Sequence, residues 1–307
     1  MLAGTDILTL GELTPADVRA VIDLAKQQKA AWEAGDRSRP LAGKAAALIF
    51  MKPSMRTRVS FEVACGRLGL QPVVLGPGDA FSRGETLEDT TRVLERYADV
   101  IVIRTFDQAE VGRIAEVANV PVVNALTDDY HPCQILADLL TIEEHLGRLP
   151  GIKLAYVGDG NNIANTLLLG CPLAGVDLTV ATPAGYEPLS KAVADGERVA
   201  ASTGTALTLT HDPVEAVRGA DVVVTDTWTS MGQEAEHDER LEAFHGFQVT
   251  PELMSFASAE ALFMHCMPAH RGEEVVSAVI DGPRSVIIDE AANRLHAQKA
   301  LLTLVVG

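Results

Sequence analysis

Ser54-Met55-Arg56-Thr57-Arg58 stands between an apolar run, Ala45 to Met51, and a helical pattern, Val59 to Leu68. The pentad places two guanidiniums, two hydroxyls and the N–H groups of a helix start where a strand turns into a helix. That combination holds phosphate, through the helix dipole and charge-assisted hydrogen bonds. Taken alone, the pentad also fits an arginine-rich helix start that serves only as a solvated cap. Its weight comes from the clusters further along the chain.

His131-Pro132-Cys133-Gln134 puts an imidazole and a primary amide at another helix start, with a proline that favours the first turn. Such a pair can donate to a carbonyl oxygen and read an amide, although a histidine beside proline also serves as a plain cap. Gly158-Asp159-Gly160-Asn161-Asn162 follows a strand pattern and opens a helix, as dinucleotide-binding loops do. Its third glycine position holds Ile163, and the next strand ends in Ala181-Thr182 without an acidic ribose anchor. A nicotinamide cofactor is therefore not expected, and the asparagines instead offer amides to a carboxylate or amino group.

Asp226-Thr227-Trp228-Thr229-Ser230-Met231-Gly232 combines a carboxylate, hydroxyls and a glycine with apolar Trp228 and Met231. The set suits the ammonium and carboxylate of an amino acid; the plain alternative is a surface turn. In His265-Cys266-Met267-Pro268 the two reactive side chains are adjacent on an extended segment, so they point to opposite sides and form no Cys–His dyad. Cys266 reads as a polarizable wall or proton partner, and the segment lacks further ligands at zinc spacing, so no metal is expected.

The chain that carries these clusters has 307 residues, 47% of them hydrophobic, which suggests two domains. A formal net charge of −17 argues against nucleic acid or an anionic membrane as partner. An anionic substrate must then be held by a local basic cluster against the global field. No stretch approaches the roughly 18 apolar residues of a membrane span, and Met1 to Leu10 has no basic leader character, so a cytoplasmic protein is expected. Cys65, Cys133, Cys171 and Cys266 are far apart, which suggests neither disulfides nor a zinc knuckle.

Strand patterns lie at 45–50, 72–75, 100–103, 120–123, 153–157, 177–181, 206–209, 221–225, 261–264 and 285–288, and helical periods separate most of them. This alternation predicts an α/β fold of two domains, each a parallel sheet flanked by helices. Gly147 to Gly151 reads as the linker, and 227–249 is the longest interval without clear periodicity. The polar clusters, with Arg104 among them, fall just after strands. Open α/β sheets bind ligands at those carboxyl ends, so clusters from both halves are expected to converge on one cleft.

Together the S-x-R-T-R, H-P-x-Q, Gly-Asp-Gly-Asn-Asn, Asp226–Gly232 and His265–Pro268 motifs resemble the signature set of the carbamoyltransferases over roughly residues 44 to 299. His265-Cys266-Met267-Pro268 and Ser230-Met231-Gly232 match the ornithine branch rather than the aspartate branch. The resemblance implies a carbamoyl-phosphate domain (1–147), an ornithine domain (148–288), a last helix (289–307) returning to the first domain, and a homotrimer or a multiple of it. It implies transfer of the carbamoyl group of carbamoyl phosphate to the δ-amine of L-ornithine, giving L-citrulline and phosphate, with no cofactor. It places Ser54, the Met55 backbone, Arg56 and Thr57 on the phosphate, and Arg104, His131, Gln134 and Arg294 around the carbamoyl group. Asn162, Asp226, Ser230 and Met231 would bind ornithine, with Cys266 and the Met267 carbonyl beside the reacting centre.

Two positions depart from the family pattern. Met55 replaces the usual threonine, and Ala80 stands where a glutamine usually reaches a neighbouring subunit's phosphate; the resemblance offers Arg83 as its replacement. These departures leave two other readings open. One is a carbamoyltransferase for an N-acylated ornithine or another amine, and the other is a catalytically weak amino-acid-binding or regulatory relative.

Overall fold

The computed structural model describes residues 2–79, 84–230, 232 and 234–307. The chain divides into two compact units, Met1–Leu140 with Ala292–Gly307, and Thr141–Ala291. In the first unit a four-stranded parallel sheet runs in the order β2-β1-β3-β4. Its strands are β1 (Ala45–Phe50), β2 (Gln71–Leu75), β3 (Val100–Arg104) and β4 (Val122–Leu126). Its helices are α1 (Pro15–Glu33), α2 (Met55–Leu68), α3 (Leu87–Leu94), α4 (Gln108–Val117) and α5 (Pro132–Leu146), the last crossing into the second unit. β1 and β3 are buried almost throughout and read as apolar runs because both faces of a parallel sheet are covered. β2, at the edge, is only partly buried.

The second unit holds a five-stranded parallel sheet in the order β7-β6-β5-β8-β9. Its strands are β5 (Lys153–Val157), β6 (Asp177–Ala181), β7 (Leu207–Thr210), β8 (Val222–Thr225) and β9 (Leu262–His265). Between them come α6 (Asn162–Leu173), α7 (Ser190–Thr203), α8 (Pro213–Val217), α9 (His237–Ala243), α10 (Pro251–Met254) and α11 (Ser277–Ile280). The closing helix α12 (Ile287–Val306) returns to the first unit, where Lys44 Nζ donates to Val306 O and Gln28 Nε2 to Thr303 Oγ1. The core of the second unit gathers Ala155, Val157 and Val223 from the sheet with Trp228, Phe244 and Phe247 from the segment beyond β8.

Two sequence expectations shift. The strand pattern at 285–288 is no strand: Ser285 makes one bridge to Phe263, and Ile287 then opens α12. A short apolar run cannot distinguish a strand from a buried helix start. The pattern at 120–123 becomes Val122–Leu126, because Pro121 has no N–H to give the ladder and only its carbonyl is used, by Ile101 N. The interval 227–249 is partly helical, with α9 in it. Among the described residues, no helix is long and apolar enough to cross a membrane.

Candidate active site

Sheet register positions the cluster of the first unit. Phe50 pairs with Arg104, which brings the turn after β1 and the end of β3 to the same level. Ser54 caps α2 in an extended conformation without a side-chain capping bond, so its hydroxyl is not spent on its own helix. Met55, Arg56 and Thr57 form the first turn of α2, and helix starts of this kind present backbone N–H groups that suit an anion. Met55 itself is 72% exposed, so its side chain contributes nothing to a buried phosphate site.

Thr57 is fully buried and joins the two guanidiniums the resemblance implicated. Its Oγ1 accepts from Arg294 Nη2 at 2.6 Å and lies 3.5 Å from Arg104 Nη1. Both arginines are buried, and so is His131, which precedes α5. Burial, reinforced by the positive charges of Arg294 and Arg104, holds the His131 imidazole well below its usual pKa. It is therefore neutral at pH 7 and retains a donor N–H. Gln134, one turn on, donates from Nε2 to Asp138 Oδ1 at 2.8 Å. Arg83 and Ala80 lie outside the described residues.

Sequence reasoning overlooked Lys52. It is 4% exposed, pairs with Asp128 and stacks its ammonium 4.0 Å from the Phe106 ring centroid. It thereby fixes the turn leading into the pentad to the segment leading into His131. The available signal was a lysine at the end of an apolar strand, where a buried charge needs a reason.

The second unit assembles a different cluster. Pairing of Thr225 with His265 sets Asp226 beside Cys266, and Cys266 Sγ donates to Asp226 Oδ1 at 3.2 Å. Asn161 caps α6 with its Oδ1 and donates from Nδ2 to Asp226 Oδ2 at 2.8 Å, so the carboxylate is oriented from both sides. Asn162, the first residue of α6, is half-buried, as is Ser230; Met231 lies outside the described residues. His265 and Cys266 diverge as the extended geometry requires. His265 turns inward, accepting on Nδ1 from Met267 N and sitting 3.1 Å from Glu274 Oε1. Met267 adopts φ +57°, a costly conformation for a side-chain-bearing residue, and leads into a cis Met267–Pro268 bond.

Asp159 is buried against Arg240 at 3.0 Å, and Arg240 also donates to Trp228 O at 2.9 Å and to Glu236. Burial raises the Asp159 pKa to about 6 despite the guanidinium, which pulls it down. The glycines around it have a packing role. A Cβ on Gly160 would lie 2.3 Å from the Glu187 carbonyl carbon, so the loop is built for contact with the 186–188 segment. Linear spacing around His265 offers too few ligands for zinc. Across strands, donor atoms of Asp226, His265 and Cys266 come within 4.8 Å of one another, a juxtaposition that linear spacing does not reveal. Cys65, Cys133 and Cys171 are buried; burial pushes the Cys65 and Cys133 thiols up to about 12, which makes them inert.

These clusters can be set beside known proteins. Residues 5–144 match the carbamoyl-P binding domain of the aspartate/ornithine carbamoyltransferases, and residues 150–305 match their Asp/Orn binding domain. The chain is 53% identical to an ornithine carbamoyltransferase of Carboxydothermus hydrogenoformans, over 99% of this chain and 98% of that protein. It is 50% identical to an anabolic ornithine carbamoyltransferase of Pyrococcus furiosus, over 100% and 98%. A solved ornithine carbamoyltransferase from Pyrococcus furiosus superposes with a TM-score of 0.97 at 50% identity, covering 100% of this chain and 98% of that one. The Gloeobacter violaceus enzyme gives 0.90 at 47%, covering 100% of both. Buried guanidiniums around Thr57 in one unit, a carboxylate–thiol pair in the other, and full-length similarity at this level lead to one conclusion: the chain belongs to the aspartate/ornithine carbamoyltransferase family.

Proposed function

We propose that this protein carbamoylates the δ-amine of L-ornithine from carbamoyl phosphate, releasing L-citrulline and phosphate. The observation that carries the reading is the buried Thr57–Arg294–Arg104 cluster beside a neutral His131 at the start of α2. Phosphate sits on the α2 N-terminus with Ser54, Arg56 and Thr57. Arg104, His131 and Arg294 take the carbamoyl oxygen, with Gln134 on its amide. Asp226, oriented by Asn161, holds ornithine with Asn162, Ser230 and Met231, while Cys266 and the Met267 carbonyl border the reacting amine.

The free δ-amine has a pKa near ~10.4 in water and must lose its proton before attacking. Its lone pair then adds to the carbamoyl carbon, and the carbonyl electrons move to oxygen. The developing oxyanion is met by donors already in place. Collapse of the adduct breaks the bond to the phosphate oxygen; phosphate leaves with that electron pair onto the arginines and takes up the proton that the attacking nitrogen sheds. Asp226 orients the ammonium rather than serving as the sole base.

The assembly is a homotrimer or a multiple of it, a reading supported by an exposed apolar stripe along α2 at Met55, Val59 and Val63, spaced to lie on one helix face. Arg83 is assigned to carbamoyl phosphate by the family resemblance alone. A colorimetric citrulline assay on the purified protein tests the reading. Citrulline from ornithine and carbamoyl phosphate supports it; product only with N-acylated ornithine, or none, rejects it.

A further inference from the structure

Apart from the residues assigned to the substrates, the second unit carries a separate set of donors on the turn after Pro268. One donor atom each from His270, Glu273 and Glu274 lies within 4.8 Å of the others. Glu274 is fully buried, and its Oε1 accepts from His270 N at 2.5 Å while lying 3.1 Å from His265 Nε2. Because His265 Nδ1 accepts the Met267 N–H, the hydrogen-bond network assigns the ring proton to Nε2, and His265 donates to Glu274. Oε1 of Glu274 is thus served by two donors.

The other oxygens are not. Oε2 of Glu274 and Oε2 of Glu273 are both shut off from solvent and have no hydrogen-bond partner among the described residues. The His270 Nδ1 is 3.6 Å from Glu273 Oε2, too far for a hydrogen bond. Two neighbouring carboxylates with desolvated oxygens left over are costly unless positive charge lies between them. We propose that His270, Glu273 and Glu274 bind a divalent transition-metal cation of the zinc type, with His237 as a fourth donor at the edge. An imidazole with two carboxylates suits such a cation better than magnesium or calcium, which prefer oxygen alone.

His237 comes from α9, in the same interval as Ser230. Its Nε2 is 3.8 Å from Glu273 Oε1, and its Nδ1 is 3.4 Å from Thr229 Oγ1. A cation here ties the segment after β8 to the turn that follows Cys266 and Met267. The site uses the second unit alone and holds whether or not the chain is a carbamoyltransferase.

The probe is Co²⁺, titrated into the full-length metal-free protein and read by visible absorption and calorimetry. A Cys266→Ser chain removes the thiol of the Asp226–His265–Cys266 group, so any Co²⁺ taken up there shows ligand-field bands without thiolate charge transfer. One Co²⁺ per chain is expected in this background, displaced by Zn²⁺ and not by Mg²⁺. His270→Ala and Glu273→Gln should each weaken it by more than the roughly 10–100-fold that loss of an outer-shell partner costs, and His237→Ala by less. Circular dichroism of the metal-free variants checks folding, and Glu273→Gln keeps the side-chain shape if His270→Ala does not fold. No uptake by the Cys266→Ser chain, uptake indifferent to Glu273→Gln, or displacement by Mg²⁺ overturns the proposal.

Discussion

The two units solve opposite electrostatic problems. In the first, buried arginines converge on Thr57 beside a histidine kept neutral, and the helix start adds further positive potential. In the second, buried Asp159 and Asp226 dominate, one paired with Arg240 and the other held by Asn161 and Cys266. A chain of net charge −17 thus gathers buried guanidiniums in one cluster and buried carboxylates in another. The difference teaches that local preorganisation, rather than overall charge, decides which substrate each unit takes.

The most severe way to break this division is Arg56→Ala. Removing a charged partner of phosphate costs about 2–5 kcal/mol, roughly 30- to 5,000-fold in rate. The loss should appear in kcat/KM for carbamoyl phosphate, with the ornithine KM little changed. Wild-type kinetics in that variant would sink the phosphate assignment.

Acid sharpens the contrast, because the two clusters respond to it in opposite senses. The Asp159 pKa is raised on folding from 3.8 to about 6, so its contribution to stability is fully present below 3.8 and lost as pH rises through about 6. The span is worth up to about 3 kcal/mol. His131 is depressed below 6.5, so its contribution is present above 6.5 and lost as pH falls. Denaturant midpoints should therefore show wild type losing ground to Asp159→Asn between about pH 4 and about pH 6. Against His131→Asn, wild type should lose ground on acidification below 6.5. Parallel profiles for either pair would remove that group from the account.

Thr57→Val removes the acceptor shared by two buried guanidiniums while keeping the side-chain shape. It should destabilise the first unit by about 1–3 kcal/mol and weaken carbamoyl phosphate. An unchanged unfolding curve would mean that Thr57 is not their anchor. The smallest effect is expected from Cys266→Ser, which retains a donor to Asp226 but changes acidity and polarizability. Turnover should fall by about tenfold or less, with the fold intact. Equal rates at every pH would reduce Cys266 to packing.

The sequence displayed the sheets well, because β1, β3 and β5 are apolar runs buried on both faces and bounded by polar turns. It also displayed the pentad, whose chemistry is local. Arg294 was another matter: it meets Thr57 across 237 positions of chain, and only resemblance to a family pointed to it. In the sequence Asn161 offers an amide alongside Asn162, but its actual service, capping α6 while steering Asp226, depends on strand order. Lys52 and Arg240 escaped for the same reason. A buried ion pair is a property of two distant segments, and neither segment carries its sign alone.

Gly160 constrains the chain's history as well as its shape. Every amino-acid replacement reachable from a glycine codon by one base change brings a Cβ, and here that carbon would lie 2.3 Å from both the Glu187 carbonyl carbon and the Pro188 nitrogen. Neither is a flexible side-chain tip that can swing aside. Mutational drift at this position therefore has no small first step, and a variant would have to move the 186–188 segment at the same time. Saturation mutagenesis at residue 160 should recover glycine alone among functional clones, whereas Gly185, with open space around it, should fail only through its left-handed backbone and tolerate asparagine.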